Sequence, residues 1–177
     1  MMASVEKIAE AKAKYGGTVQ EILANEPRFG IYKTLGAIEA LISSKILQKL
    51  PTTPAERMLF AFAWFSREVQ NGGLHQFFVN SAGDYWKDVL MGLELVSDTD
   101  GLALFRKVLA VFPQSSPCEE RDARLAQIEN LEAGNEADFW KHFERMDKAF
   151  DKRPFPEWQK VFDYVKIHQN EFDLRKA

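Results

Sequence analysis

The sequence predicts an all-α fold, a single compact domain of about seven to nine helices. Apolar residues recur at steps of three and four almost throughout, and no alternating apolar-polar run of convincing strand length interrupts them. Thr53-Pro54-Ala55-Glu56 adds a capping box with proline at the first helical position, just before a strongly apolar segment. A chain of 177 residues is long enough to bury a sizeable core, and 14 Phe and 4 Trp supply it.

Residues 1–28 read as an N-terminal helical extension, and residues 29–177 as one compact unit. Ile31, Leu35, Ile38 and Ile42 form one stripe on a helix from about Gly30 to Lys49, which Pro51 and Pro54 stop. The next helix runs from the capping box to about Gln70. It is apolar all round between Met58 and Phe65, which makes it the central helix. Trp86, Val89, Leu90 and Leu93 mark another helix, and Leu102, Phe105, Leu109 and Phe112 the one after it. Ser116-Pro117-Cys118-Glu119 reads as a second capping box, opening a helix that turns Leu125, Ile128 and Leu131 inward and ends at Gly134-Asn135. Phe139, Phe143, Met146 and Phe150 then define one helix, and Trp158, Val161, Phe162, Val165 and Phe172 the last.

Composition excludes several function classes. A net charge of −3 and the absence of a basic stripe exclude a generic nucleic-acid binder. The longest apolar run, Met58 to Phe65, is too short for a bilayer span, and the charged N-terminus lacks a signal-peptide core. One cysteine excludes an internal disulfide, so a soluble cytoplasmic protein is expected.

The three histidines, His75, His142 and His168, lack a helical metal-ligand spacing; Asp138 and His142 lie four apart as an ordinary surface pair. Cys118 falls in the expected first turn of a helix, but Glu119 and Glu120 oppose thiolate formation there. No phosphate-loop, dinucleotide or nucleophile-elbow motif occurs. No catalytic set, cofactor or metal is expected, and an enzyme is the less favoured reading.

The stretch EVQNGGLHQFFVNSAGDYW, Glu68 to Trp86, is the most distinctive. Gly72 and Gly73 can close a helix in the left-handed conformation, and Leu74, Phe77 and Phe78 then share a face of a short helix. Gly83 supplies a second stop, and Asp84 can cap a helix starting at Tyr85. Asn71 and Asn80 can bond backbone groups freed at these corners. Two readings stay open: a structural corner built from Asn71, Gly72, Gly73, His75, Gln76, Asn80, Gly83 and Asp84, or a small-molecule site involving His75, Asn71, Asn80 or Asp84.

The passage NGGLHQFFVNSAGDY, preceded by PAERMLFAF and followed by DVLMGLELV, resembles the all-helical family that includes DNA mimic protein 19. With FERMDKAF the resemblance covers roughly Thr52 to Phe172. It implies a motif shared by many bacterial proteins without an assigned activity. It also implies protein binding, because one member presents an acidic surface to the DNA-binding face of a transcription factor and relieves repression. A mimic offers carboxylates in place of regularly spaced phosphates, and −3 over the whole chain is weak for that.

The acid is concentrated in one segment. Glu119, Glu120, Asp122, Glu129, Glu132, Glu136 and Asp138 face only Arg121 and Arg124 there. The expected function is therefore non-enzymatic binding of a protein partner, a DNA-binding regulator in the family precedent, through that local acidic face. Direct nucleic-acid and membrane binding are not expected. Self-association remains open.

Overall fold

The computed structural model of the chain describes residues 5–153 and 155–174, and its regular structure is helical with no strand among them. Ten α-helices are present there, eight of them longer than six residues. They are α1 (Val5–Tyr15), α2 (Val19–Ala24), α3 (Glu26–Phe29), α4 (Ile31–Leu47), α5 (Pro54–Val79), α6 (Trp86–Leu95), α7 (Thr99–Leu109), α8 (Arg121–Gly134), α9 (Glu136–Phe150) and α10 (Trp158–Ile167). No helix among the described residues is long and apolar enough to cross a membrane.

Contacts group the chain into two compact units, one of Met1–Ala63 with Trp158–Ala177, the other of Trp64–Glu157. In the first, α4 is the element against which α1, α2, α3 and α10 all pack. Three residues of its predicted stripe, Leu35, Ile38 and Ile42, are at most 2% exposed, while Ile31 at the helix start is half-buried. The capping box at the start of α5 is formed, with Thr53 Oγ1 accepting from Glu56 N at 3.1 Å and Glu56 Oε2 accepting from Thr53 N at 3.0 Å.

That capping glutamate does more than its sequence position reveals. Its carboxylate is fully buried and also accepts from Lys45 Nζ on α4, at 2.7 and 2.6 Å, and from Asp173 N at 2.9 Å. Lys45 Nζ donates in addition to Asp173 O at 2.8 Å. One buried ion pair thus joins α4, the start of α5 and the C-terminal segment.

The second unit has an aromatic core. Phe65 is fully buried, with ring centroids of Phe77, Phe105, Phe150 and Phe155 between 4.8 and 5.7 Å away. Trp64 beside it is only half-buried, so the centre of the apolar run is occupied by phenylalanines and the tryptophan lies at its edge. This follows from helical geometry, which turns adjacent residues about 100° apart.

One predicted helix start moves. Ser116-Pro117-Cys118-Glu119 is not a capping box: α8 begins at Arg121, with Glu120 as its N-cap accepting from Ala123 N at 2.9 Å. The preceding segment is not helical, so the Cys118 and Glu119 carbonyls are free to accept from Arg124 Nη1 at 2.9 and 2.8 Å. Cys118 therefore lies outside the helix, without the dipole expected for it.

Candidate functional site

The corner is produced by backbone geometry that only glycine tolerates. α5 breaks at Gly72 and Gly73; Gly72 is extended, with φ −162°, while Gly73 has φ 79° and ψ −176°, a region essentially confined to glycine. The left-handed requirement thus falls on Gly73 alone. Asp147 of α9 receives the backbone freed by the break, its Oδ1 accepting from Leu74 N at 2.8 Å. Burial raises the Asp147 carboxyl above its ordinary pKa, and the bond from Leu74 pulls it back.

A Cβ at Gly73 would come within 2.7 Å of Asp147 Oδ2. Gly73→Ala is therefore expected to destabilise the fold by about 1–3 kcal/mol, through conformational strain and loss of the Leu74 bond. Chemical denaturation checks this. An alanine variant as stable as the parent would remove Gly73 from the account of the corner.

After the break the chain makes one short aromatic turn. Leu74, Phe77 and Phe78 are fully buried, as their shared helical face predicts. Gln76 Nε2 and Asn80 Nδ2 both donate to Glu68 Oε2, at 2.7 and 2.8 Å, so Glu68 ties the two sides of the break together. Asn80 therefore bonds a carboxylate with its side chain, where a backbone partner was expected. Asn71 and Gly72 are exposed at the outside of the corner.

Gly83 is not a left-handed stop. It is buried in a 3-10 turn, Ser81–Tyr85, and a Cβ there would meet Phe77 O and Arg124 Nε at 2.8 Å. Its small size admits the arginine. Asp84 does not cap α6, whose N-cap Tyr85 makes no side-chain cap bond. Its Oδ1 instead accepts from Arg124 Nη2 at 2.7 Å.

Arg124 is the centre of this arrangement. It is fully buried, and its Nε donates to Phe78 O at 2.7 Å, its Nη2 to Asn80 O at 3.0 Å and to Asp84, and its Nη1 to the Cys118 and Glu119 carbonyls. Five acceptors from two segments converge on one guanidinium, whose planar fork of donors suits them. Arg121 is exposed, yet its Nε also donates inward, to Val79 O at 3.1 Å.

His75 is half-buried against Phe139, Trp140 and Phe143, with ring centroids 5.9, 4.6 and 5.7 Å away. Burial lowers its pKa below the ordinary value, and the charges of Glu132 and Asp147 oppose that shift. Asp84 is committed to Arg124; the carboxylates that act on His75 are those of Glu132 and Asp147, which accept from Trp140 Nε1 and Leu74 N.

The acidic residues take different positions. Asp122, Glu129 and Glu136 are exposed; Glu119 pairs with Lys87; Glu120 caps α8; Asp138 accepts from Asn135 Nδ2 at 2.7 Å. Glu132 is half-exposed, and its Oε1 accepts from Trp140 Nε1 at 2.9 Å. α8 and α9 pack together, so all seven lie on or beside one helix pair. No group of three His, Cys, Asp or Glu side chains among the described residues could hold a metal ion.

Sequence reasoning missed Glu68, Asp147, Arg124 and Trp140. Glu68 and Asp147 meet the motif only after the chain has folded back, and no local spacing connects them to it. Arg124 entered the reading only as a charge in an acidic segment. Gly83, a residue with no side chain in a buried turn, was the one signal that something large had to fit beside it.

The described residues thus form an all-helical protein with a glycine-built corner clamped by a buried arginine. A family model described as DMP19-like protein matches residues 51–170, and the chain belongs to that family. No curated protein and no solved structure matches it.

Proposed function

We propose that this chain binds a basic protein surface through the acidic rim of α8 and the start of α9, with the DNA-contacting face of a DNA-binding regulator as the target. The observation that carries the reading is the complete burial of Arg124, one of the two cations in the segment. Arg124 is withdrawn completely, while Asp122, Glu129 and Glu136 are exposed; Arg121 bonds back to Val79 O through Nε and keeps Nη1 4.0 Å from Asp122 Oδ1. With Arg124 buried, Arg121 is the one cation of the segment left at the surface, which is more acidic than the charge count implies by that one charge. Asp122 and Glu129 stand two helical turns apart, about 10 Å along α8, which spaces their charges along one edge.

The corner supports this function as scaffold. Gln76, Asn80, Gly83 and Asp84 are occupied by internal contacts with Glu68 and Arg124, which favours the joint over a small-molecule site.

Affinity capture from the source cell tests the proposal, with the double variant Asp122→Lys, Glu129→Lys in parallel. The expected partner is a DNA-binding protein that elutes as salt rises, is lost from the double variant, and releases its DNA when this chain is added. A partner retained equally by both forms at every salt concentration would exclude the acidic rim.

A further inference from the structure

Trp140 is an exception to the burial pattern of α9. Phe139, Phe143, Met146 and Phe150 of that helix are buried, whereas Trp140 is 41% exposed. Its ring is nevertheless held: His75 lies 4.6 Å away between centroids and Glu132 accepts its indole N–H. An indole fixed in this way loses little conformational freedom when something binds to it.

Its surroundings are carboxylates. Glu136 stands one turn before it on α9 and Glu144 one turn after, both exposed, and Glu132 completes the group. A helical side chain leans toward the N-terminus of its helix, which for Trp140 is the side of Glu136. Glu144 already pairs with Lys148 at 2.6 Å, so the available charge lies at Glu132 and Glu136. Lys141, next in sequence, lines a separate depression with Asp138, His142 and Arg145.

A part-exposed, held indole beside the Glu132 and Glu136 carboxylates matches a flat cation. A guanidinium can stack on the indole and donate in its own plane to a carboxylate, whereas an ammonium does only the second well. We infer that Trp140 is an anchor for an arginine side chain of the partner, with Glu132 and Glu136 accepting from its guanidinium. The inference rests on the acidic-rim reading and sharpens it: charge alone would treat lysine and arginine alike, and Trp140 selects arginine.

Titration calorimetry of the full chain with hexaarginine and hexalysine peptides, at low and raised salt, tests this. The parent should bind hexaarginine about two- to fivefold more tightly, the margin one exposed cation–π contact supplies. Trp140→Leu should bind the two peptides equally, and Trp140→Phe, which keeps a π-face, should retain most of the preference. The exposed position makes these variants tolerable to the fold, and circular dichroism verifies it. Equal binding of both peptides by the parent, unchanged in Trp140→Leu, would overturn the anchor and leave the acidic rim standing. Failure of both peptides to bind would overturn the rim and the anchor together.

Discussion

Arg124→Met is expected to destabilise the fold by about 3–5 kcal/mol, the loss typical of removing one partner from a buried charged network. The thioether fills some of the space but donates nothing. The carbonyls of Phe78, Asn80, Cys118 and Glu119 would lose the buried guanidinium as donor, while Asn80 O keeps a second bond, from Gly83 N at 3.0 Å. Asp84 contributes less, because its side chain is 40% exposed and water can replace the guanidinium there. Asp84→Asn should accordingly cost no more than about 1 kcal/mol.

Arg124→Lys distinguishes this account from a simple requirement for positive charge. An ammonium has three donors on one nitrogen and cannot reach acceptors arranged around a planar fork. The lysine variant should therefore be nearly as unstable as the methionine one. A thermal melt should show a fall of roughly 10 °C for both. A lysine variant that melts with the parent would show that charge, and not the fork, holds the corner.

Glu56→Ala is expected to lose a similar amount, about 3–5 kcal/mol, in the first unit. The substitution leaves Lys45 Nζ, whose side chain is 5% exposed, with the Asp173 carbonyl as its sole remaining acceptor among those described above. It also removes the acceptor for Thr53 N and Asp173 N, so the cap of α5 and the anchorage of the C-terminal segment fail together. Changing both partners to apolar residues, Lys45→Met with Glu56→Leu, should recover a substantial part of the loss, because no charge is then left buried. Urea denaturation of the single and double variants checks this. A double variant less stable than Glu56→Ala alone would contradict the assignment of the loss to an orphaned lysine.

These two networks show where the sequence was legible. Stripes such as Leu35-Ile38-Ile42 and Phe139-Phe143-Met146 reveal helices because a buried face imposes its period on the chain. The Thr53–Glu56 box was equally plain, since both its bonds span three residues. Glu56's second role, binding Lys45 eleven residues earlier and Asp173 at the far end of the chain, leaves no local trace.

The corner divides in the same way. The glycine pair announced a break, and Gly73 supplies it. What clamps the break comes from Glu68, Arg124 and Asp147, up to 73 residues distant along the chain. The false capping box at Ser116 has a nearer cause. Its residue types suit a helix start, but the carbonyls of Cys118 and Glu119 are bound by Arg124, and α8 starts after them. A side-chain bond spanning five or six residues overrode a residue-type preference.

In the reading proposed above, the Asn71–Asp84 corner is scaffold and the α8–α9 rim is the binding surface. Amide hydrogen exchange, measured with and without the captured partner or with hexaarginine in its place, tests it most directly. Slowed exchange is expected across residues 119–140, with no change at residues 71–84. Protection confined to residues 71–84, with residues 119–140 unaffected, would contradict it and make the corner the binding site.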